Sequence, residues 1–166
     1  MDEIIKKIKE YRRLTYEEQI KMFEAPNAVE LLEQYSQKWD WLCDAAEVKM
    51  LEHPERVRLL GFYSRSRSLS LTGELAMLKS ADCVDLLRVY LANDQFLFEE
   101  SERKMLELPQ RGKLLMLYMA KFPLWEETVL KMLDLPERQI LLRVYLQHGY
   151  RLLKRAERKA RKLGLI

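Results

Sequence analysis

Lys104-Met105-Leu106-Glu107-Leu108-Pro109 returns four more times with small changes: as Lys21-Met22-Phe23-Glu24-Ala25-Pro26, Lys49-Met50-Leu51-Glu52-His53-Pro54, Ala76-Met77-Leu78-Lys79-Ser80-Ala81 and Lys131-Met132-Leu133-Asp134-Leu135-Pro136. The methionines stand 28, 27, 28 and 27 residues apart. A second block keeps the same phase: Leu31-Leu32 with Tyr35, Leu59-Leu60 with Tyr63, Leu86-Leu87 with Tyr90, Leu114-Leu115 with Tyr118, and Leu141-Leu142 with Tyr145. Eight residues before each methionine is a leucine: Leu14, Leu42, Leu69, Leu97 and Leu124. Three markers held in register through five units are an internal repeat, and a period of this size signals stacked supersecondary units.

The one-residue variation in the period falls between the tyrosine and the following leucine. Length changes collect in loops, so that interval is one turn of the unit. The proline four residues after methionine reads as the first residue of a new helix, where its missing N–H costs nothing. Each unit is then two short helices. Pieces of roughly 9–12 residues are marginal alone in water, so they must stack to exist. At the start, Ile4-Ile5 and Ile8 take the Leu-Leu and Tyr places of a partial unit, and Thr15 with Glu18 forms a capping box for the next helix. At the end, Ala160 takes the methionine place and Arg161 the apolar place after it. The last helix thus presents a polar outer face, as a terminal solenoid unit requires.

Composition agrees with helices. The chain has 166 residues, 48% hydrophobic and 33% charged, with only five Gly and five Pro, which disfavours a turn-rich sheet protein and excludes disorder. The expected fold is an all-α, right-handed α-solenoid of about six short helical hairpins in one domain spanning 1–166. Its parts are an N-terminal partial repeat (1–20), repeats over 21–48, 49–75, 76–103, 104–130 and 131–150, and a basic C-terminal capping helix (151–166). This pattern resembles the αα-hairpin solenoids, the class holding HEAT, armadillo and tetratricopeptide repeats, although the period is shorter than theirs and their consensus residues are absent. The resemblance is architectural; it implies a curved stack offering an extended surface to a partner, and it transfers no site residue.

Cys43 and Cys83 are distant in sequence and form no metal-ligand spacing, which suits a reducing, cytoplasmic setting. No segment looks like a secretory leader or a membrane span. Net charge is +3, yet Arg151 to Lys162 holds seven basic residues against one acid, Glu157, leaving the first 150 residues at −3. No nucleotide, acyl-transfer or zinc-protease motif occurs, so no catalytic, cofactor-binding or metal-binding residue is assigned and the chain is expected not to be an enzyme.

The expected role is a non-catalytic interaction module for a protein or peptide, monomeric or weakly self-associating, with no membrane partner. Two sets of residues are candidates for that surface. The first is the position after each tyrosine, where Leu91, Met119 and Leu146 follow Ser36 and Ser64 and would form an exposed apolar strip. The second is the aromatic cluster in the intra-repeat loops, led by Trp39, Trp41 and Trp125, because Trp near solvent is a common hot-spot anchor. The methionine ladder is read as core; the tyrosine rings are read as half-buried with hydroxyls at the rim. The rival expectation is nucleic-acid backbone binding by Arg151, Lys154, Arg155, Arg158, Lys159, Arg161 and Lys162, set against their ordinary use at a helix C-terminus.

Overall fold

The computed structural model describes residues 1–39 and 41–166. Among them are twelve helices and no strands: α1 (Asp2–Lys9), α2 (Tyr16–Met22), α3 (Ala28–Ser36), α4 (Asp44–Glu52), α5 (Arg56–Tyr63), α6 (Leu71–Lys79), α7 (Cys83–Ala92), α8 (Glu99–Met105), α9 (Arg111–Met119), α10 (Glu126–Met132), α11 (Arg138–Gln147) and α12 (Lys154–Lys162). The chain divides into two compact units, Met1–Gln95 and Phe96–Ile166.

Inside the first unit the even-numbered helices form one row, α2 against α4 and α4 against α6. The odd-numbered helices form a second row, with α1, α3, α5 and α7 packed in succession. The rows are joined by hairpin contacts, α2 with α3, α4 with α5 and α6 with α7. The second unit repeats the plan: α8, α10 and α12 in one row, α9 beside α11 in the other, and α8 packed on α9. This is the hairpin stacking expected of a helical repeat. Between the rows lies the core, in which all five repeat methionines, both leucines of every pair and all five repeat tyrosines are buried. Hairpins this short gain their stability from that burial rather than from intrinsic helicity.

Local chemistry sets the helix starts. Thr15 and Glu18 form the reciprocal capping box, with the Glu18 N–H donating to Thr15 Oγ1 at 3.3 Å and the Thr15 N–H donating to Glu18 Oε2 at 2.9 Å. Ser70 accepts from the Gly73 N–H at 3.1 Å. The proline expectation needs one correction: Pro26, Pro54, Pro109 and Pro136 precede their helices by two residues. In each case the residue before proline accepts a hydrogen bond from the residue three further on, as in Ala28 N–H to Ala25 O and Arg111 N–H to Leu108 O. Proline is the second residue of a β-turn, and the third lies near φ −90°, ψ 10–30° in Glu55 and Gln110, as in a type I turn. Ala81 fills the proline place in the same turn.

Candidate functional site

The residue three before each methionine is Gln19, Glu47, Glu74, Glu102 and Val129. Three residues along a helix is the same face, so these polar groups point into the core with methionine. Gln19, Glu47, Glu74 and Glu102 are all buried. A buried carboxylate is costly unless its oxygens are satisfied, and here each acid is met by the tyrosine of its own hairpin, although Glu102 Oε1 is left without a partner. Tyr63 donates to Glu47 Oε1 at 3.1 Å and Tyr90 to Glu74 Oε1 at 3.2 Å. Gln19 Nε2 donates to the Tyr35 hydroxyl at 3.2 Å. The rim position expected for the hydroxyls is therefore wrong: they are internal, because a polar partner waits for them in the core.

Glu47, Glu102 and Gln19 also reach forward to the next hairpin. Glu47 Oε2 accepts the Ser70 N–H at 2.9 Å and its hydroxyl at 2.5 Å; Glu102 Oε2 accepts the Trp125 N–H at 2.9 Å; Gln19 Oε1 accepts the Cys43 N–H at 2.7 Å. These donors lie at the N-terminal ends of α6, α10 and α4, so each buried side chain caps the following helix from inside. The tyrosine oxygens also accept, from the Leu42 N–H at 3.3 Å (Tyr63), the Leu69 N–H at 3.0 Å (Tyr90) and the Leu97 N–H at 3.4 Å (Tyr118). Thus the loop leucine, the tyrosine and the acid form one relay per hairpin.

Burial pushes the Glu47 carboxyl above the usual carboxylate range and the Glu102 carboxyl up to about 7, partly offset by the hydrogen bonds each accepts. Burial, and then the neighbouring acid, push the Tyr63 and Tyr90 phenols well up. Close approach to the acid demands a small residue opposite it. At Gly73 an added Cβ would overlap Glu47 Oε2 and press on Leu69 Cβ.

At α10 the interior cap leaves the side chain at the helix start free to face outward, and the N-cap side chains of α8 and α12 face outward as well. In the second unit these positions are Phe98, Trp125 and Leu153, which are 48, 54 and 59% exposed. All three are N-cap residues of the stacked helices α8, α10 and α12. Phe96 is exposed nearby and meets Phe122 edge-on at 6.4 Å. In the first unit Trp41 and Tyr16 are exposed and line one groove of about 440 Å³ together with Arg13, while Trp39 is half-buried.

The expected strip after the tyrosines does not form. Leu91 and Met119 are buried, and only Leu146 is substantially exposed. At the equivalent Ser64, which is buried and receives Asn93 Nδ2 on its oxygen at 2.7 Å, the side chain faces the following hairpin rather than solvent. Of the seven basic residues in the last segment, three are already engaged. Arg155 pairs with Glu127 at 2.6 Å, Arg161 with Glu157 at 2.8 Å, and Lys159 donates to the Leu130 carbonyl at 2.7 Å and to the Asp134 carboxylate at 2.6 Å. Arg151, Lys154, Arg158 and Lys162 remain exposed without an ion pair.

Among the described residues no group of His, Cys, Asp and Glu is placed to hold a metal ion, and no helix is long and apolar enough to cross a membrane. Cys43 and Cys83 are both free thiols. No family model, curated protein or solved structure matches the chain.

Nothing in the sequence reading singled out the buried acids. The available signal was a Gln or Glu recurring on the same helical face as a core methionine, a place where a solvated charge has no reason to recur.

Proposed function

We propose that this chain is a non-catalytic helical-repeat interaction module, HEAT- or tetratricopeptide-like in use, that binds a protein or peptide through the apolar row Phe98, Trp125 and Leu153, in a reducing cytoplasmic setting. The observation that carries this reading is the choice of residue at those three positions. Helix N-caps favour Ser, Thr, Asp and Asn, and losing such a cap costs about 1 kcal/mol. Here the cap is supplied from the interior to α10, and large apolar side chains are left facing water in register on successive helices. Contiguous exposed apolar rows of this kind mark interaction surfaces, and Trp and Phe make efficient anchors.

The test is retention of partners from lysate by the protein and by a Phe98→Ser, Trp125→Ser, Leu153→Ser triple variant, with circular dichroism to confirm that helicity is unchanged. The reading expects a retained protein that survives nuclease and about 0.3 M salt and is lost in the triple variant; apolar contacts are far less salt-sensitive than phosphate contacts. Equal retention by both proteins overturns it. Loss of retained material on nuclease or salt overturns it in favour of nucleic acid, for which the unpaired Arg151, Lys154, Arg158 and Lys162 are the residues to change.

A further inference from the structure

The relay fails in one hairpin. The place of Gln19, Glu47, Glu74 and Glu102 is held by Val129, and the tyrosine sixteen residues on is Tyr145. Tyr145 is 4% exposed, yet no hydrogen bond reaches its hydroxyl, unlike that of Tyr63 or Tyr90. The helix start that the missing acid would cap is α12, whose N-cap Leu153 has no side-chain cap and whose N–H has no partner in the turn. Two donors that share a carboxylate at Glu47 and at Glu102 are therefore left without one here.

The same place is a cavity. The lining of a pocket of about 210 Å³ includes Leu124, Val129 and Tyr145 of this hairpin and Leu153 and Ala156 at the start of α12. Arg151 also lines it and has no acidic partner. The walls are aliphatic, one side holds a buried phenol, and a helix N-terminus with its partial positive charge closes another. Glu126 lies on the wall too, and an amine beside the ligand's acid group would meet it.

We propose that this cavity binds a short aliphatic carboxylate, its oxygens accepting from the Tyr145 hydroxyl and the Leu153 N–H and facing the Arg151 guanidinium. Its hydrocarbon chain lies against Leu124, Val129 and Ala156. The bound acid takes the place that Glu102 takes in the preceding hairpin, where one carboxylate meets Tyr118 and accepts the Trp125 N–H. An α-amino acid of the same chain length has the additional contact with Glu126. The site is independent of the apolar row proposed above as the partner surface, apart from Leu153, which offers its backbone here and its side chain there.

The experiment is a titration of the full-length, ¹⁵N-labelled protein with butyrate and, separately, with 2-aminobutyrate, following the amide resonances of Leu153 to Ala156; butylamine is the control. The expected result is saturable shifts of those amides by at least one of the acids and none by butylamine. For ligands of about six or seven heavy atoms a Kd near 1 mM is expected. Tighter binding of 2-aminobutyrate assigns a role to Glu126. Val129→Gln copies Gln19, whose amide oxygen accepts the N–H at the start of the next helix and whose nitrogen donates to the Tyr35 hydroxyl; filling both places, it should abolish the shifts. Tyr145→Phe should weaken binding about tenfold, the usual worth of a buried hydrogen bond to a charged acceptor. No saturable shift up to about 20 mM, twenty times that Kd, overturns the proposal, as does unchanged binding in folded Val129→Gln or in Tyr145→Phe.

Discussion

Replacing Glu102 by Gln should make the second unit's stability less dependent on pH, and the size of the change follows from where Glu102 sits. Its carboxyl is buried and titrates near 7, against an ordinary value of 4.5. Between those two values the folded state keeps the proton and the unfolded state releases it. Stability due to this group is thus complete below about pH 4.5 and is lost as pH rises through 7. At about 1.4 kcal/mol per unit the loss comes to about 3 kcal/mol. Gln cannot ionise, and Gln19 shows that the amide fits: its oxygen accepts the next helix's N–H and its nitrogen donates to tyrosine. In urea unfolding followed by Trp125 fluorescence, with Trp39 and Trp41 replaced by Phe, Glu102→Gln should gain about 2–3 kcal/mol relative to the parent between pH 4.5 and 8. The other buried acids are common to both proteins and cancel in that difference. A difference that stays constant across this range, within about 0.5 kcal/mol, would refute the claim that burial of an ionisable carboxyl is what Glu102 contributes.

Gly73→Ala and Gly112→Ala should have opposite signs. At Gly73 the new methyl overlaps a Glu47 oxygen pinned by Ser70, so despite the helix-propensity gain we expect a net loss of about 1–2 kcal/mol. At Gly112 nothing lies within 4 Å and the same change should stabilise by about 0.5 kcal/mol; thermal melts of both distinguish them. Tyr90→Phe removes the acceptor of the Leu69 N–H and a donor to Glu74 in one step, and urea titration should show a loss of about 2 kcal/mol. Leu91→Ala should act as a core truncation, losing about 2–4 kcal/mol in the same assay; a stability change below about 0.5 kcal/mol would restore it as a surface residue.

Repetition is what made the fold legible. Methionine, the leucine pair and tyrosine sit at places where every hairpin must fill the same volume, so the residue type recurs and the phase can be read directly from Met22 to Met132. The capping box at Thr15 and Glu18 was legible for a different reason, since both partners lie within four residues of each other. The relay was not, because its bonds link residues 16 to 24 positions apart and its central residue is of a type ordinarily assigned to solvent. Gln19, Glu47, Glu74 and Glu102 break the assumption that charge in an amphipathic helix marks the outer face. The strip after the tyrosines failed on a related point. Leu91 and Met119 looked surplus to a helix with one buried face, but both side chains are buried, so the apolar arc of their helices is wider than the repeat markers alone suggest. Leu146, in the last helix of its row, has a neighbour on one side only among the packed helices and is exposed.

A core stitched by carboxylates behaves differently from one made of leucine alone. Apolar contacts between hairpins tolerate sliding, because dispersion has no preferred direction. Glu47 and Glu102 each bond to their own hairpin's tyrosine and to the next helix's N-terminus, and those two anchors fix the register between the hairpins they join at the cost of burying an ionisable group. The unpaired version of that trade is unfavourable, since a buried polar network is worth having only when its members are satisfied. Val129 abandons the trade at the last hairpin, and the exchange is incomplete: the acid is gone while Tyr145 and the Leu153 N–H remain. Donors present without the acceptor that meets them at Glu102 are the feature that ties the cavity at Tyr145 to a carboxylate from outside the chain.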